Sequence, residues 1–534
     1  MDHELSRLID QDTPALNPLI ANGLAVEHMK EVERYVDAVF RSAARGFPEG
    51  LHYVGWERCT PQEEFDENTK IKNNKRTFDV ARSDVYMVKY FFSYRGQALP
   101  PRYLYLPFVG VAGTITLGGS RFNISPILSD RVISIGTTNI FVRLLRDRLT
   151  FERMPQHYME DGRRQTVQVA WAMIYHKNAA MKKLPVTHKG NCTLLHYLLC
   201  KYGFTDTFMK FGKCQPVVGG VEINRTTYPE SDWVICSSTG VPPKGRSRGP
   251  WAPPVVRVAV RREELTPMVR NMIGGFFYVA DMFPDQMTPE VVESKSRWMV
   301  LLGHVLFSGV LGHGKLHDDV QDHITSLDEY LDRLVIEKLR EVGVPVENIY
   351  QLFAVVIEHF NDWITKGTEK VASMYDKELS ILYYVLYEIS SAIFKLYFKL
   401  KAASKKELRP EEIIATMNLT LRTGLIYFIT KNHGEVTTIA LSGDNKATKI
   451  TSMLVPQSNS NRLSSRKDRA VLSDPSKHLH ASVVDVGGYS NLPKSEPSGR
   501  SRLNPHIRFD EANVIVRDPK TIALLDSVQE LIKR

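Results

Sequence analysis

The spacing of apolar side chains changes along this chain, and the changes mark out its elements. Between residues 5 and 43, apolar positions fall at helical intervals (Leu19, Leu24, Val26, Met29, Val32, Val36, Val39, Phe40), with breaks near Pro18 and Asn22. This predicts short helices packed on something larger. From 77 to 142 the period shortens toward two, in the runs 85–92, 103–106, 115–117 and 131–135, with Gly and Pro between them. Those runs predict strands joined by turns. Residues 166–174 read as a further strand and 191–212 as two short amphipathic helices turning at Tyr202 and Gly203. The Pro-, Gly- and Arg-rich segment 241–254 reads as a loop exposing Arg246 and Arg248. Helical spacing dominates from 289 to about 427, with candidate helices at 297–310, 326–342, 349–365, 377–401 and 410–430. The aromatic residues from Tyr383 to Phe398 predict a buried helix face. Residues 435–439 return to strand spacing. The fold class is therefore α+β, with a β-rich first third, a helical middle, a loop-rich end and no internal repeat.

That end follows neither period. Residues 457–507 are polar and basic, between apolar flanks at 449–456 and 523–532. Arg462, Arg466, Lys467, Arg469, Lys477, Lys494, Arg500 and Arg502 outnumber Asp468, Asp474, Asp485 and Glu496. Loops of this length are functional or disordered. Composition leaves the stretch open between a solvated linker and a surface suited to a phosphate backbone. The whole chain of 534 residues carries a formal net charge of +9, with a pI near 9.0, which leans toward an anionic partner. Its 43% hydrophobic and 24% charged residues exclude wholesale disorder. Cys59, Cys192, Cys200, Cys214 and Cys236 show no CxxC spacing, and their odd number argues against a complete disulfide framework and for a reducing compartment. The N-terminal residues lack the apolar core of a signal peptide, and the apolar run 298–311 is too short for a membrane span and contains His304. A soluble intracellular protein is expected.

Candidate catalytic chemistry is sparse. Asp318, Asp319 and Asp322 form a DDxxD pattern between His317 and His323 that could hold Mg²⁺ through carboxylates. The segment from Asn361 to Glu369 resembles the second metal motif of terpene synthases, although it lies too near the first. The His317-Asp318 doublet is similar to that of HD-type phosphohydrolases, without the other ligands of that site. A metal-dependent all-α lyase or phosphohydrolase is one alternative. The plainer reading of the same residues is a loop at a helix start, where Asp and His cap and turn the backbone. Walker-type, GxSxG and HExxH motifs and zinc-ligand sets are absent from the sequence. Gly118-Gly119 and Gly219-Gly220 read as turns.

Taken in order, several segments resemble the β-type, second-largest subunit of multisubunit DNA-dependent RNA polymerases, in its N-terminal half. Gly113-Thr-Ile-Thr-Leu-Gly-Gly119-Ser-Arg-Phe-Asn-Ile-Ser is similar to a strand-turn-strand motif of the protrusion, departing from it at Arg121-Phe122-Asn123. Leu194, Leu195 and Leu198, followed by Tyr202-Gly-Phe-Thr-Asp206, resemble helices of the lobe. The Asp318–His323 cluster resembles that family's acidic opening of a long helix, with one residue extra and a Lys-Arg pair missing. Asn418 to Gly434 matches a further motif, with Asn418, Thr423, Gly424, Leu425, Tyr427, Asn432 and Gly434 in step. Asn461 to Ser473 and then Ala481 to Asn504 run alongside the fork and the antibiotic-pocket region, keeping Asp485-Val486, Tyr489, Pro493, Pro497, Gly499 and Asn504. Arg462 and Ala470-Val471 depart from the family there.

The resemblance implies four regions: 1–155 protrusion-like, 156–385 lobe-like, 386–445 a second protrusion-like part, and 446–534 fork-like with basic loops toward the active centre. A β-like chain ending near the fork resembles the split subunits of giant (jumbo) bacteriophage polymerases, which implies phage transcription in the cytoplasm of an infected host, virion packaging being open. It further implies a C-terminal β-like fragment and β′-like polypeptides as partners, with DNA template, RNA transcript and nucleoside triphosphates. The catalytic Mg²⁺ is expected on the β′-like partner, with no catalytic residue in this chain. Gln457, Asn459, Asn461, Arg462, Arg466, Lys467, Arg469, Lys494, Arg500 and Arg502 are the expected nucleic-acid contacts. A non-enzymatic nucleic-acid-binding or virion protein is the remaining alternative.

Overall fold

The computed structural model describes residues 24–73, 82–110, 113–125, 127–136, 138–144, 148–172, 174, 192–242, 251–306, 313–328, 330–367, 373–403, 407–430, 437–440, 454–458, 481–486, 500–503, 507–520 and parts of 522–530. Helices and strands are mixed throughout, an α+β fold. The chain divides into two compact units, one made of residues 1–131 and 369–534, the other of 132–368.

In the first unit the alternating run Val85–Tyr94 forms a strand paired antiparallel with Leu51–Arg58 on one side and Arg102–Pro107 on the other. Helix Val32–Ala44 buries Val32, Val36, Val39, Phe40 and Ala43, one stripe at helical spacing. Phe40 meets Tyr53 and Tyr90 with ring centroids 5.0 and 4.7 Å apart. The Leu51–Arg58 strand escaped the periodicity because its register slips between Tyr53 and Gly55, which breaks the alternation. The Gly113 motif is a hairpin: Thr114–Leu117 pairs with Ser120–Ser125 across Gly118 and Gly119, at φ +56° and +80°. Two positive φ values in a two-residue turn match the right-handed twist of the strands and favour glycine at both positions.

Two predicted helices of this unit are corrected. Residues 377–401 begin as a strand, Lys377–Ser380, held by pairing with Ile127–Asp130; helix resumes at Leu382–Val385 and Tyr387–Ala403. The longer helix buries mainly aliphatic side chains (Ile389, Ala392, Ile393, Leu396, Leu400) with Tyr397, while Tyr387 and Phe398 are substantially exposed, so the aromatic residues do not form the buried face. The predicted helix 410–430 stops at Thr420, whose hydroxyl donates back to the Thr416 carbonyl at 2.8 Å; a 3₁₀ turn follows at Leu425–Thr430.

The second unit is built on an antiparallel sheet whose centre is the long hairpin Arg148–Glu160 and Arg163–Ala172. Helices Leu194–Tyr202, Pro267–Met282, Lys295–Leu306 and Ile349–Gly367 pack on it and on one another. Leu194–Tyr202 is buried on nearly every side, from Leu194 to Cys200, and is thus no amphipathic surface helix. Pro267–Met282 went unpredicted because Gly274-Gly275 look like a break. Here they let the helix approach the sheet: a Cβ on Gly274 would lie 2.3 Å from the Val167 methyl. Thr266 caps it, accepting the Val269 N–H at 3.3 Å, with Pro267 in the first turn.

The acidic cluster is also corrected. His313–Leu327 is one helix, with Leu316, Val320, Ile324 and Leu327 inward and Asp318 and Asp322 on its exposed face. The predicted helix 326–342 is interrupted after Leu327 and restarts at Arg333, capped by Asp332, which accepts the Val335 N–H at 3.0 Å. All five cysteines are free thiols, four of them buried. Among the described residues no helix is long and apolar enough to cross a membrane.

Candidate nucleic-acid interface

The two ends of the basic stretch lie on one small sheet. Its order runs from Lys377–Ser380 through Ile127–Asp130 and Leu454–Ser458 to Arg500–Arg502. Leu454–Ser458 pairs in parallel with Ile127–Asp130, Gln457 opposite Leu128, and antiparallel with Arg500–Arg502, Pro456 opposite Arg500. Ser458 and Arg500 therefore stand on neighbouring strands. A buried ion pair fixes the far side of the sheet: Lys377 Nζ donates to Asp130 Oδ1 at 2.6 Å, with side chains 3% and 11% exposed. A carboxylate beside an ammonium in such a setting offsets a desolvation that neither charge would tolerate alone.

Midway along the stretch the chain docks again. The short helix Ser482–Val486 buries Val483 and Val486 against Leu128, Met374, Leu379, Leu503, Ile507 and Ile515. The Met374 N–H donates to Ser482 Oγ at 2.9 Å, and the Tyr375 hydroxyl donates to Asp485 Oδ2 at 3.1 Å. Burial, and after it the Asp485 carboxylate, pushes the Tyr375 phenol up to about 12, so Tyr375 keeps the proton it donates throughout the neutral range.

Of the predicted contacts, Gln457 lies on the strand where the chain leaves and Arg500 and Arg502 on the strand where it returns, so the sheet brings these three backbones together. Asn459, Asn461, Arg462, Arg466, Lys467, Arg469 and Lys494 lie outside the described residues, as do Arg246 and Arg248. Sequence reasoning missed Tyr375, Ser482 and the Lys377–Asp130 pair.

Among the described residues the rival acidic site does not assemble; Glu369 lies outside them. Asp318 is 83% exposed and pairs with its neighbour His317, at 3.3 Å. Asn361 is hydrogen-bonded by Arg153 Nη1 at 2.9 Å. Among the described residues no group of three His, Cys, Asp or Glu side chains could hold a metal ion. An open cleft of about 630 Å³ in the second unit is lined by Glu263, Glu264 and Glu293 beside Arg261 and Trp233. Glu264 accepts from the Gln215 N–H and Glu293 from the Thr205 hydroxyl, and the charge of the cleft does not suit a phosphate.

Compared with known proteins, the chain matches the family model described as non-virion RNA polymerase subunit over residues 5–527. No curated protein matches it.

Proposed function

The chain belongs to the family of non-virion RNA polymerase subunits, and from that membership we propose that it is the N-terminal β-like subunit of a split, multisubunit, DNA-directed RNA polymerase of a phage. In this reading residues 1–155 and 386–445 are protrusion-like and 156–385 lobe-like, together making one wall of the DNA cleft. Residues 446–534 are fork-like and border the RNA–DNA hybrid. The partners are a C-terminal β-like fragment and β′-like polypeptides, acting on template, transcript and nucleoside triphosphates. The non-virion description favours action in the cytoplasm of the infected host over packaging.

Phosphoryl transfer depends mainly on positioning and on neutralising charge along the phosphates. This chain would supply guanidinium and ammonium groups from Arg462, Arg466, Lys467, Arg469, Lys494, Arg500 and Arg502, and hydrogen bonds from Gln457, Asn459 and Asn461. From the resemblance to the β-type subunit, the Mg²⁺ is assigned to the β′-like partner, and the chain by itself is taken as non-catalytic.

The single observation that carries the reading is the family match across nearly the whole chain. The docking of the basic stretch at its two ends and midpoint supports a binding surface over a loose linker. The test is to recover the tagged chain from infected cells, identify what comes with it, and assay template-dependent nucleotide incorporation. Recovery of C-terminal β-like and β′-like polypeptides with activity is expected. A chain recovered alone and inactive overturns the proposal.

A further inference from the structure

The open cleft of the second unit has the opposite charge to the chain that carries it. Glu263, Glu264 and Glu293 line it against one cation, Arg261, in a chain whose formal net charge is +9. Arg261 does not neutralise them: its guanidinium lies over the Trp233 ring, 5.4 Å from the centroid, and makes no ion pair among the described residues. Glu263 is exposed and makes no ion pair among them either. Glu264 and Glu293 accept from their neighbours, but a carboxylate has about four acceptor positions and keeps room for a cation. Between the charges the lining is apolar, from Val217, Val218, Pro289 and Val292. Val217–Gly219 is also the last strand of its sheet, paired among the described strands with Arg257–Arg261 alone. An end strand offers backbone donors and acceptors to a further extended chain.

We propose that this cleft is a docking site for an extended, Lys- or Arg-bearing segment of another polypeptide of the polymerase. Taking the partner from that assembly rests on the polymerase reading above. Ammonium or guanidinium heads meet the three carboxylates, while the alkyl stems of the same side chains cover Val218, Pro289 and Val292. A nucleic-acid strand is repelled by those carboxylates. At about 630 Å³ the cleft has the size of sites that take a ligand of many atoms, well beyond a single ion.

The experiment uses the assembled polymerase, with the photo-cross-linker p-benzoylphenylalanine in place of Gln215 in one variant and of Pro289 in another, both of which line the cleft. After irradiation the products are mapped by mass spectrometry. Each variant is expected to cross-link a partner polypeptide at a segment carrying Lys or Arg. Glu263→Lys reverses a charge that no ion pair holds, and should cut the cross-linked fraction roughly two- to tenfold. Glu347→Lys makes the same charge change on the same unit outside the cleft lining, and should leave the fraction unchanged. Cross-links to nucleic acid, to a second copy of this chain or to a segment without Lys or Arg overturn the inference. So does an active assembly that cross-links at neither position, or one in which Glu263→Lys has no more effect than Glu347→Lys. If the chain joins no polymerase assembly at all, the polymerase reading fails, and the choice of partner with it.

Discussion

Two sets of aspartates in this protein invert what their surroundings in the sequence promise. Asp318, Asp319 and Asp322 make the most conspicuous acidic pattern in the chain, yet the helix that carries them turns Asp318 and Asp322 to solvent and spends its inward face on Leu316, Val320, Ile324 and Leu327. Asp130, Asp281 and Asp485 stand in no motif for a metal or a nucleophile. Asp130 holds a buried lysine, Asp281 lies under the sheet of the second unit bonded by Ser238 at 2.6 Å, and Asp485 ties down the basic stretch. A carboxylate matters through what replaces its water. That is set by burial and by the group opposite, not by the density of acidic residues nearby.

The comparison breaks most readily at Asp130. Asp130→Ala takes the carboxylate away from the buried Lys377 ammonium, and a loss of about 3–5 kcal/mol is expected, measured by chemical denaturation. If the variant matches wild type, burial does not rank these carboxylates. Asp281 gives the next effect. Burial pushes its carboxyl up to about 7, against the smaller opposing pull of hydrogen bonds from Ser238 and Gln156. The folded state therefore holds a proton that the unfolded chain releases near pH 4. Stability from this group is fully present below pH 4 and is lost as pH rises toward 7. Asp281→Asn should flatten that part of the stability profile, and above pH 7 should stabilise the protein by roughly 1–3 kcal/mol. A profile with the same slope in variant and wild type would contradict the assignment.

Which parts of this were legible in the sequence follows from the range of the forces involved. Local turn chemistry was legible: Gly118-Gly119 between Thr114–Leu117 and Ser120–Ser125 forms the hairpin its pattern predicts. So was helical spacing at Val32–Phe40 and in Ile349–Gly367. Lys377–Ser380 was misread because its strand exists through pairing with residues some 250 positions earlier in the chain, Lys377 opposite Asp130, and tertiary pairing overrides local propensity. Pro267–Met282 was missed for the opposite reason, since Gly274 and Gly275 weaken the helix signal in order to fit Val167 and Leu195. At the candidate interface, charge located the basic stretch. Its attachment through Ser482, Asp485, Met374 and Tyr375 was invisible, because two hydrogen bonds across more than a hundred residues leave no period to read.

The basic stretch sharpens the comparison by a smaller, graded effect. Arg462→Ala, Arg466→Ala and Arg469→Ala, in the assembled polymerase, should each lower the salt slope of template binding by about 0.9 for every phosphate left without its cation. Slopes unchanged in all three would return these residues to a solvated face.

The smallest expected effect belongs to the acidic helix, and it is the most decisive for the contrast. Asp318→Asn and Asp322→Asn remove charge from an exposed surface, where Asp318 faces the His317 ring of its own helix and no buried charge. Stability should stay within about 0.5 kcal/mol of wild type, as for surface substitutions away from special features. The Mg²⁺ concentration giving half-maximal nucleotide incorporation should not move, because neither carboxylate shares a cage with a third ligand among the described residues. A shift of that midpoint in the double variant would mean that an exposed pair on one helix face completes a metal site with groups from a partner. The acidic and basic regions would then trade places as the part of this chain nearest the chemistry.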